Sequence, residues 1–293
     1  MKTYKYKILI IIVLGITWIQ AQSIERQVIG TAGTTVSNGT ISMDFTVGEL
    51  TITTITDGTT TLSQGFQQGS VQLNIKIAPV VFLQGAAINP NAGEETLMRD
   101  DLRVANTIPT TSPYNDALTT ASTVLIVTGK DAIVDWVLVE LRDKNDVTNV
   151  VASQSALLQR DGDIISVDGI STLEFDISTD NYFVAVQHRN HLGIVSANTV
   201  DLSSTVTTLD FSSDNLIVQG GNNAVVDLGS GVFAMLGGDF DENGQIQNSD
   251  IISVIQVLGG SGYSMADMDM NGQIQNTDIN NIMNLNLGKG EQF

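Results

Sequence analysis

One twelve-residue pattern occurs twice near the C-terminus: Asp239-Phe-Asp241-Glu-Asn243-Gly244-Gln245-Ile-Gln247-Asn-Ser-Asp250 and Asp267-Met-Asp269-Met-Asn271-Gly272-Gln273-Ile-Gln275-Asn-Thr-Asp278. Each copy puts an oxygen-bearing side chain at positions 1, 3, 5 and 12 and glycine at position 6. Such a segment cannot run as a regular helix or strand. Its alternate oxygens must turn inward, and the chain must bend sharply at a position whose backbone angles favour glycine. A hard divalent cation wants about six to eight oxygens, and this spacing is the grammar of a calcium loop. Two calcium ions are therefore expected. Asp239, Asp241 and Asn243 are the first side-chain ligands of one loop, and Asp267, Asp269 and Asn271 those of the other. The carbonyls of Gln245 and Gln273 fill position 7, Gln247 and Gln275 act through water, and Asp250 and Asp278 close the sites. Aspartate at position 12 is one methylene shorter than glutamate, which argues for a structural or weaker extracellular site.

A short apolar-periodic run follows each loop, with Ile251, Ile252, Ile255 and Leu258 after the first and Ile279, Ile282, Met283 and Leu287 after the second. These predict amphipathic helices. Before the loops stand only Gly237-Gly238 and Ser261-Gly262-Tyr263, with no helix signal. Paired loop-then-helix units of this kind resemble the dockerin module of secreted polysaccharide-degrading assemblies, over about residues 237–290. In that family loop positions 10 and 11 help recognise a cohesin partner. Here they are Asn248-Ser249 and Asn276-Thr277, near-identical pairs that suit a two-fold-symmetric face but depart from the family's common Ser/Thr pair.

The chain opens with Met-Lys-Thr-Tyr-Lys-Tyr-Lys, a mostly apolar run from Ile8 to Ile19, and Gln-Ala-Gln. A basic start, a short apolar core and a small residue at Ala21 predict a secretory signal peptide over 1–22. The run is too short for a comfortable membrane span, and no later segment approaches one. A secreted or cell-surface location follows. Three of the 13 basic residues lie within 1–22, so the remainder carries ten against 32 acids, and beyond Asn190 only Lys289 is basic. Such a field repels nucleic acid and anionic lipid and concentrates divalent cations. With no cysteine, an exported chain must be held by its core and by metal.

Threonine, valine, isoleucine and glycine dominate the rest, and proline is sparse, which predicts a mainly β protein. Residues 23–72 read as an N-terminal β module, with strand signals at Gln27–Gly30, Thr40–Phe45, Leu50–Ile55 and Thr61–Phe66 and a hairpin signal at Asp57-Gly58. Residues 73–236 read as an antiparallel β-sandwich. Val71–Ile77 alternates strictly, and 84–118 is a long irregular excursion around Met98-Arg-Asp-Asp-Leu-Arg103. Strands are then expected at Ser122–Val127, Ile133–Arg142, Ile164–Val167, Thr172–Ile177, Tyr182–Arg189 and Val195–Val200, with a helix at Val151–Leu158. Residues 237–293 form the small α-helical paired-loop module. The segment "SIERQVIGTAGTT" resembles an N-terminal module of secreted and surface proteins of the Bacteroidetes. The runs "VDWVLVELRD", "QRDGDIISVDG" and "VAVQHRNHLGIVSAN", with Gly288-Lys-Gly290, resemble uncharacterised haemagglutinin-like surface proteins of those bacteria. That resemblance implies location more than activity. No sorting β domain is expected after Gly290.

Other chemistry is weakly signalled. His188 and His191 lie on opposite faces if their strand continues and converge, in the neighbourhood of Asp201, if the chain turns. Trp136 with Glu140 and Arg142 reads either as a core tryptophan or as a sugar-stacking patch. The pairs Glu94-Glu95, Asp100-Asp101 and Asp161/Asp163 offer carboxylates, but nothing places two across a cleft. No nucleophile elbow, phosphate loop or zinc motif is present, so a non-enzymatic role is expected. Three roles compete: docking of the tail on a cohesin-like protein partner in an adhesive assembly, packing of the tail on its own sandwich as a calcium brace, and a glycan-binding body tethered by its tail. Exposed apolar helix faces would favour the first, covered ones the second.

Overall fold

The structure, a computed structural model, describes residues 74–229 and 231–293 together with four strands of the preceding segment. Residues 1–22, expected to be a signal peptide, and the strand expected at Gln27–Gly30 lie outside the described residues. The chain divides into two compact units, with the boundary between Val71 and Gln72. In the first, β1 (Ala32–Ser37) pairs antiparallel with β2 (Ser42–Val47), and β3 (Thr53–Thr56) with β4 (Thr61–Gln64), which flank residues 57–60.

The second unit is mainly β and mostly antiparallel. Its strands are β5 (Ile75–Val80), β6 (Ile133–Asp143), β7 (Asp146–Gln159), β8 (Ile164–Ile165), β9 (Leu173–Phe175), β10 (Asp180–His188), β11 (His191–Val195), β12 (Val200–Leu202), β13 (Thr207–Asp210), β14 (Val225–Asp227) and β15 (Phe233–Met235). The larger sheet runs β11-β10-β6-β7-β8, with β12 pairing the other end of β10. The smaller runs β13-β5-β9, and β13 lies parallel to β5. Ile75 and Ile77, alternate residues of β5, are fully buried in one core with Trp136, Val137, Leu157 and Leu173. Strand β6 is buried on both faces, as its unbroken apolar run demands.

The second face of β6 is covered by the 84–118 excursion, which carries the short helices α1 (Gln84–Ala87) and α2 (Asp101–Val104). Met98, Leu102 and Ile108 are buried beneath it. Trp136 donates its indole N–H to the Pro109 carbonyl at 2.9 Å, so its ring is core and offers no stacking platform for a sugar.

Three expectations are corrected here. Val151–Leu158 is strand, within the long β6–β7 hairpin that turns at Lys144-Asn145. Alanine, leucine and glutamine favour helix weakly, and pairing along the whole length of β6 overrides them. Ser122–Val127 holds only a 3-10 turn at Val124–Ile126. Val195–Val200 is a break, where β11 ends and β12 begins.

In the tail, α3 (Asn248–Gln256) follows the first loop. After the second come α4 (Asn276–Asp278), a π-helical stretch Ile279–Met283 and α5 (Asn284–Asn286). The tail has its own small core of Val254, Ala266, Met268, Ile274, Ile282 and Met283.

Candidate metal centres

The two loops repeat each other in the hydrogen bonds made by positions 1, 5 and 12. In the first, the position-1 carboxylate of Asp239 accepts the backbone N–H groups of Asn243 at 3.1 Å and Gly244 at 2.9 Å. In the second, Asp267 accepts those of Asn271 at 3.0 Å and Gly272 at 2.8 Å. The position-5 oxygens of Asn243 and Asn271 accept from Gln245 and Gln273 at 2.9 and 2.8 Å. At position 12, Asp250 caps α3 by accepting the Gln247 N–H at 2.8 Å, and its other oxygen reaches back to the Phe240 N–H. Asp278 does likewise with Gln275 at 2.7 Å and Asp269 at 3.0 Å. One carboxylate thus welds the end of each loop to its start. Gln247 and Gln275 sit at the helix entrances as exposed residues.

The bend is deeper than the sequence signals. Gly244 and Gly272 have φ of 77° and 81°, and the position-4 residues Glu242 and Met270 are also left-handed, at 55° and 57°. Two non-glycine residues in that region cost free energy that the closed loop must recover elsewhere. Isoleucine at position 8 does part of this: Ile246 is fully buried with Leu192 and Leu236, and Ile274 enters the tail core. Each of these residues also pairs with the segment leaving the other helix, Ile274 with Gly259 and Gly260, Ile246 with Gly288 and Lys289. Gly288-Lys-Gly290 is therefore the segment that seals the first loop.

The outcome is two acidic triads. Ligand oxygens of Asp239, Asp241 and Asp250 lie within 4.8 Å of one another, and so do those of Asp267, Asp269 and Asp278. Among the described residues none of the six is in an ion pair. Burial pushes the Asp239 carboxyl up to about 6 and that of Asp267 up to about 7, and raises Asp278 as well. Converging hard oxygens that no ion pair engages fit a divalent cation. Both triads could hold a metal.

The loops differ in what surrounds them. Asp241 is exposed, whereas Asp267, Asp269 and Asp278 are all buried. What buries the second loop is the body. At the β10–β11 turn, Asn190 donates its side-chain amide to the carbonyls of Met265 at 3.1 Å and Asp267 at 2.8 Å. Arg189 donates to the Ser264 carbonyl and lies 4.4 Å from the centre of the Tyr263 ring. From the excursion, Arg99 spans the Gly85 carbonyl at 2.9 Å and the Asp269 carbonyl at 2.5 Å. Gly85 presses so closely on the loop that a Cβ there would sit 1.9 Å from the Met268 oxygen.

Behind this clamp lies a buried polar cluster. Asp135, fully buried on β6, accepts from Arg189 at 2.9 Å and from the Tyr263 hydroxyl at 2.7 Å, and faces His188 Nε2 at 3.2 Å. Burial alone would raise its pKa, but the Arg189 charge and these hydrogen bonds outweigh it and hold the carboxyl well below the usual range. The chain turns at Arg189-Asn190, so the histidines converge with Nδ1 atoms 3.0 Å apart. Asp201 is not their neighbour; it lies on β12 opposite Asn181. His191 Nε2 accepts the Gly85 N–H at 3.1 Å, which places its proton on Nδ1. His188 Nδ1 is then an acceptor and its Nε2–H points at Asp135. Burial holds the pKa of both rings below the ordinary imidazole value.

Most of the paired acids elsewhere are taken up in ion pairs: Glu94 binds Arg160, Asp100 binds Arg103 and lies 3.6 Å from Arg160, Asp101 binds Arg99, and Asp161 binds Lys130. Glu140 binds Arg142 on the face of β6 they share. A cavity of about 450 Å³ lies beside the first loop, lined by Tyr114, Glu140, Gln187, Glu242 and Glu291 among others.

No protein-family model and no curated protein matches the chain. Among solved structures it is similar to a type II cohesin–X-dockerin complex from Acetivibrio cellulolyticus carrying an N-terminal interface mutation. There the identity is 18%, the TM-score 0.34, and the match covers 59% of this chain and 90% of that one. A C-terminal interface mutant of the same complex gives 16% identity, a TM-score of 0.37, and coverage of 73% and 96%. At such low similarity the chemistry has to be read from this chain's own residues.

Proposed function

We propose that this is an exported, non-enzymatic interaction protein whose dockerin-like tail, residues 237–293, binds two calcium ions. The observation that supports it is the pair of matching loops, each with three converged carboxylates that make no ion pair among the described residues. Asp239, Asp241, Asn243 and Asp250 would hold one ion, with the Gln245 carbonyl and a water on Gln247. Asp267, Asp269, Asn271 and Asp278 would hold the other, with the Gln273 carbonyl and a water on Gln275. When bound, calcium supplies positive charge that offsets the desolvated carboxylates. The site is absent in the unfolded chain, so binding adds directly to folding free energy. Export rests on the signal-like start of the sequence, and among the described residues no helix is long and apolar enough to cross a membrane.

The tail's packing favours a combined role. The second loop and its helix are held against the body, with Asn286 donating to the Gln84 side chain, while Ile282 and Met283 are fully buried in the tail's own core. That is a calcium brace in a chain with no cysteine. Helix α3 keeps an outward apolar face: Ile252 and Ile255 are 56% and 51% exposed, with Val257 and Leu258 beside them. That face supports docking on a protein partner. Glycan binding gains nothing from Trp136, which is buried.

Thermal unfolding of the full chain with calcium and with chelator tests the metal reading. Saturation at about 100 times the Kd should add roughly 2.7 kcal/mol per site and raise Tm accordingly. Identical melting in the two conditions would exclude calcium as a ligand of the folded state.

A further inference from the structure

The two loops share one sequence pattern but not one environment. The first is closed by the tail's own last residues, through Glu291 N–H to the Gly244 carbonyl at 2.8 Å and Ile246 N–H to the Lys289 carbonyl at 2.9 Å. The second has the equivalent seal, Gly259 N–H to the Ile274 carbonyl and Ile274 N–H to the Gly260 carbonyl, both at 2.9 Å, and is held in addition by side chains far away in sequence. Its backbone at positions 1 and 3, the carbonyls of Asp267 and Asp269, is pinned by the side chains of Asn190 and Arg99. Those are the peptide groups that aim two of the triad's carboxylates. Asn190 itself is fully buried, and Arg99 is tied back to the excursion through the carbonyls of Ile88 and Gly85, so neither can follow the loop if it opens.

Resting on the calcium reading above, we propose that the second calcium site is shared between tail and body. Asn190 and Arg99 are positioning residues that hold its loop in the liganding shape, so the second ion is bound more tightly than the first and leaves only when the tail lifts from the body. The physical ground is pre-organisation. A loop already fixed at two ligand residues loses less conformational entropy on binding, and to open and release its ion it must first break those two contacts. By linkage, calcium in the second loop must in turn strengthen the docking of the tail, whereas calcium in the first loop does so only weakly.

The test uses the full chain loaded with calcium. Bound ions are counted, then release is followed by stopped-flow mixing with a fluorescent chelator. Wild type should hold two ions and release them in a fast and a slow phase, and D269N should remove the slow phase alone. N190A changes no charge; it should speed the slow phase by about tenfold, within the roughly 5- to 150-fold range usual for coupled sites, and leave the fast phase unmoved. R99K keeps the charge but loses the fork that spans Gly85 and Asp269, and should act in the same direction; it carries the test if N190A fails to fold. Two ions leaving in phases that both variants leave untouched, or shift together, would overturn the shared site while sparing the calcium reading. No bound calcium in wild type would overturn both.

Discussion

At the scale of single residues, the most constrained positions are those where body and tail meet. Gly85 has no room for a side chain, because the Met268 carbonyl oxygen occupies the place a Cβ would take and the adjoining atoms are also backbone. G85A should therefore displace the second loop, with a cost of at least the roughly 1–3 kcal/mol typical of overpacking. A melting temperature equal to wild type would show that the contact yields easily. His188 and His191 make a second prediction. Their folded pKa values are depressed below the ordinary 6.5 by burial, so the unfolded chain binds protons that the folded one refuses. Their contribution is complete above the unfolded pKa and is lost as pH falls through and below it, at up to about 1.4 kcal/mol per pH unit for each ring. Urea unfolding at saturating calcium, from about pH 7.5 to 5, should show this slope. H191Q keeps an acceptor for Gly85 and should remove about one histidine's share of it. An unchanged slope would mean that His191 is already free to titrate.

At the scale of elements, the two tail helices look alike in sequence and behave differently. Met283 is fully buried, whereas Ile255, the residue at the same place after the first loop, is 51% exposed. M283A should cost about 2–5 kcal/mol as a cavity in a packed core, and I255A less than about 0.5 kcal/mol. Equal losses in chemical denaturation would mean that α3 is covered in solution. Sequence periodicity predicted both helices but not which face the body covers, since that depends on residues far away in the chain. The same limit explains the other differences. Spacing alone placed the six carboxylates of the two loops, because a local pattern dictates a local bend. The left-handed Glu242 and Met270 carried no such signal. Asp135 did carry one, a lone acid inside the apolar run of β6, but its partners Arg189 and Tyr263 come from distant turns. Arg99 and Asn190 stand inside the runs Met98–Arg103 and His188–His191, with no local feature to reveal that they grip the second acidic loop. The helix expected at Val151–Leu158 failed for the converse reason: its composition is locally helical, and only pairing along the whole of β6 makes it strand.

At the scale of the whole molecule, metal, protons and stability are linked through the same carboxylates. Without an ion, Asp239 and Asp267 hold their protons up to about pH 6 and 7 in the folded chain, well above the ordinary 3.8. The folded state then binds more protons than the unfolded one between these values. Stability from these two groups is complete below the unfolded pKa and is lost as pH rises through the folded ones, by a few kcal/mol in all. Calcium bound as proposed would reverse the sign, since it would bind only the ionised carboxylates and its contribution would grow as they ionise. The histidine slope runs the other way but is common to both forms, so it cancels in the difference between them. The gap in Tm between calcium-loaded and chelated protein should therefore be small near pH 5 and widen steadily to about pH 8. Because the second loop is tied to both β6 and the excursion through Asp135, Arg189, Asn190 and Arg99, the widening should appear in the melting of the β body as well as of the tail. A constant gap across that range would separate the carboxylates from the metal. A gap confined to a tail transition would show the body standing without its brace.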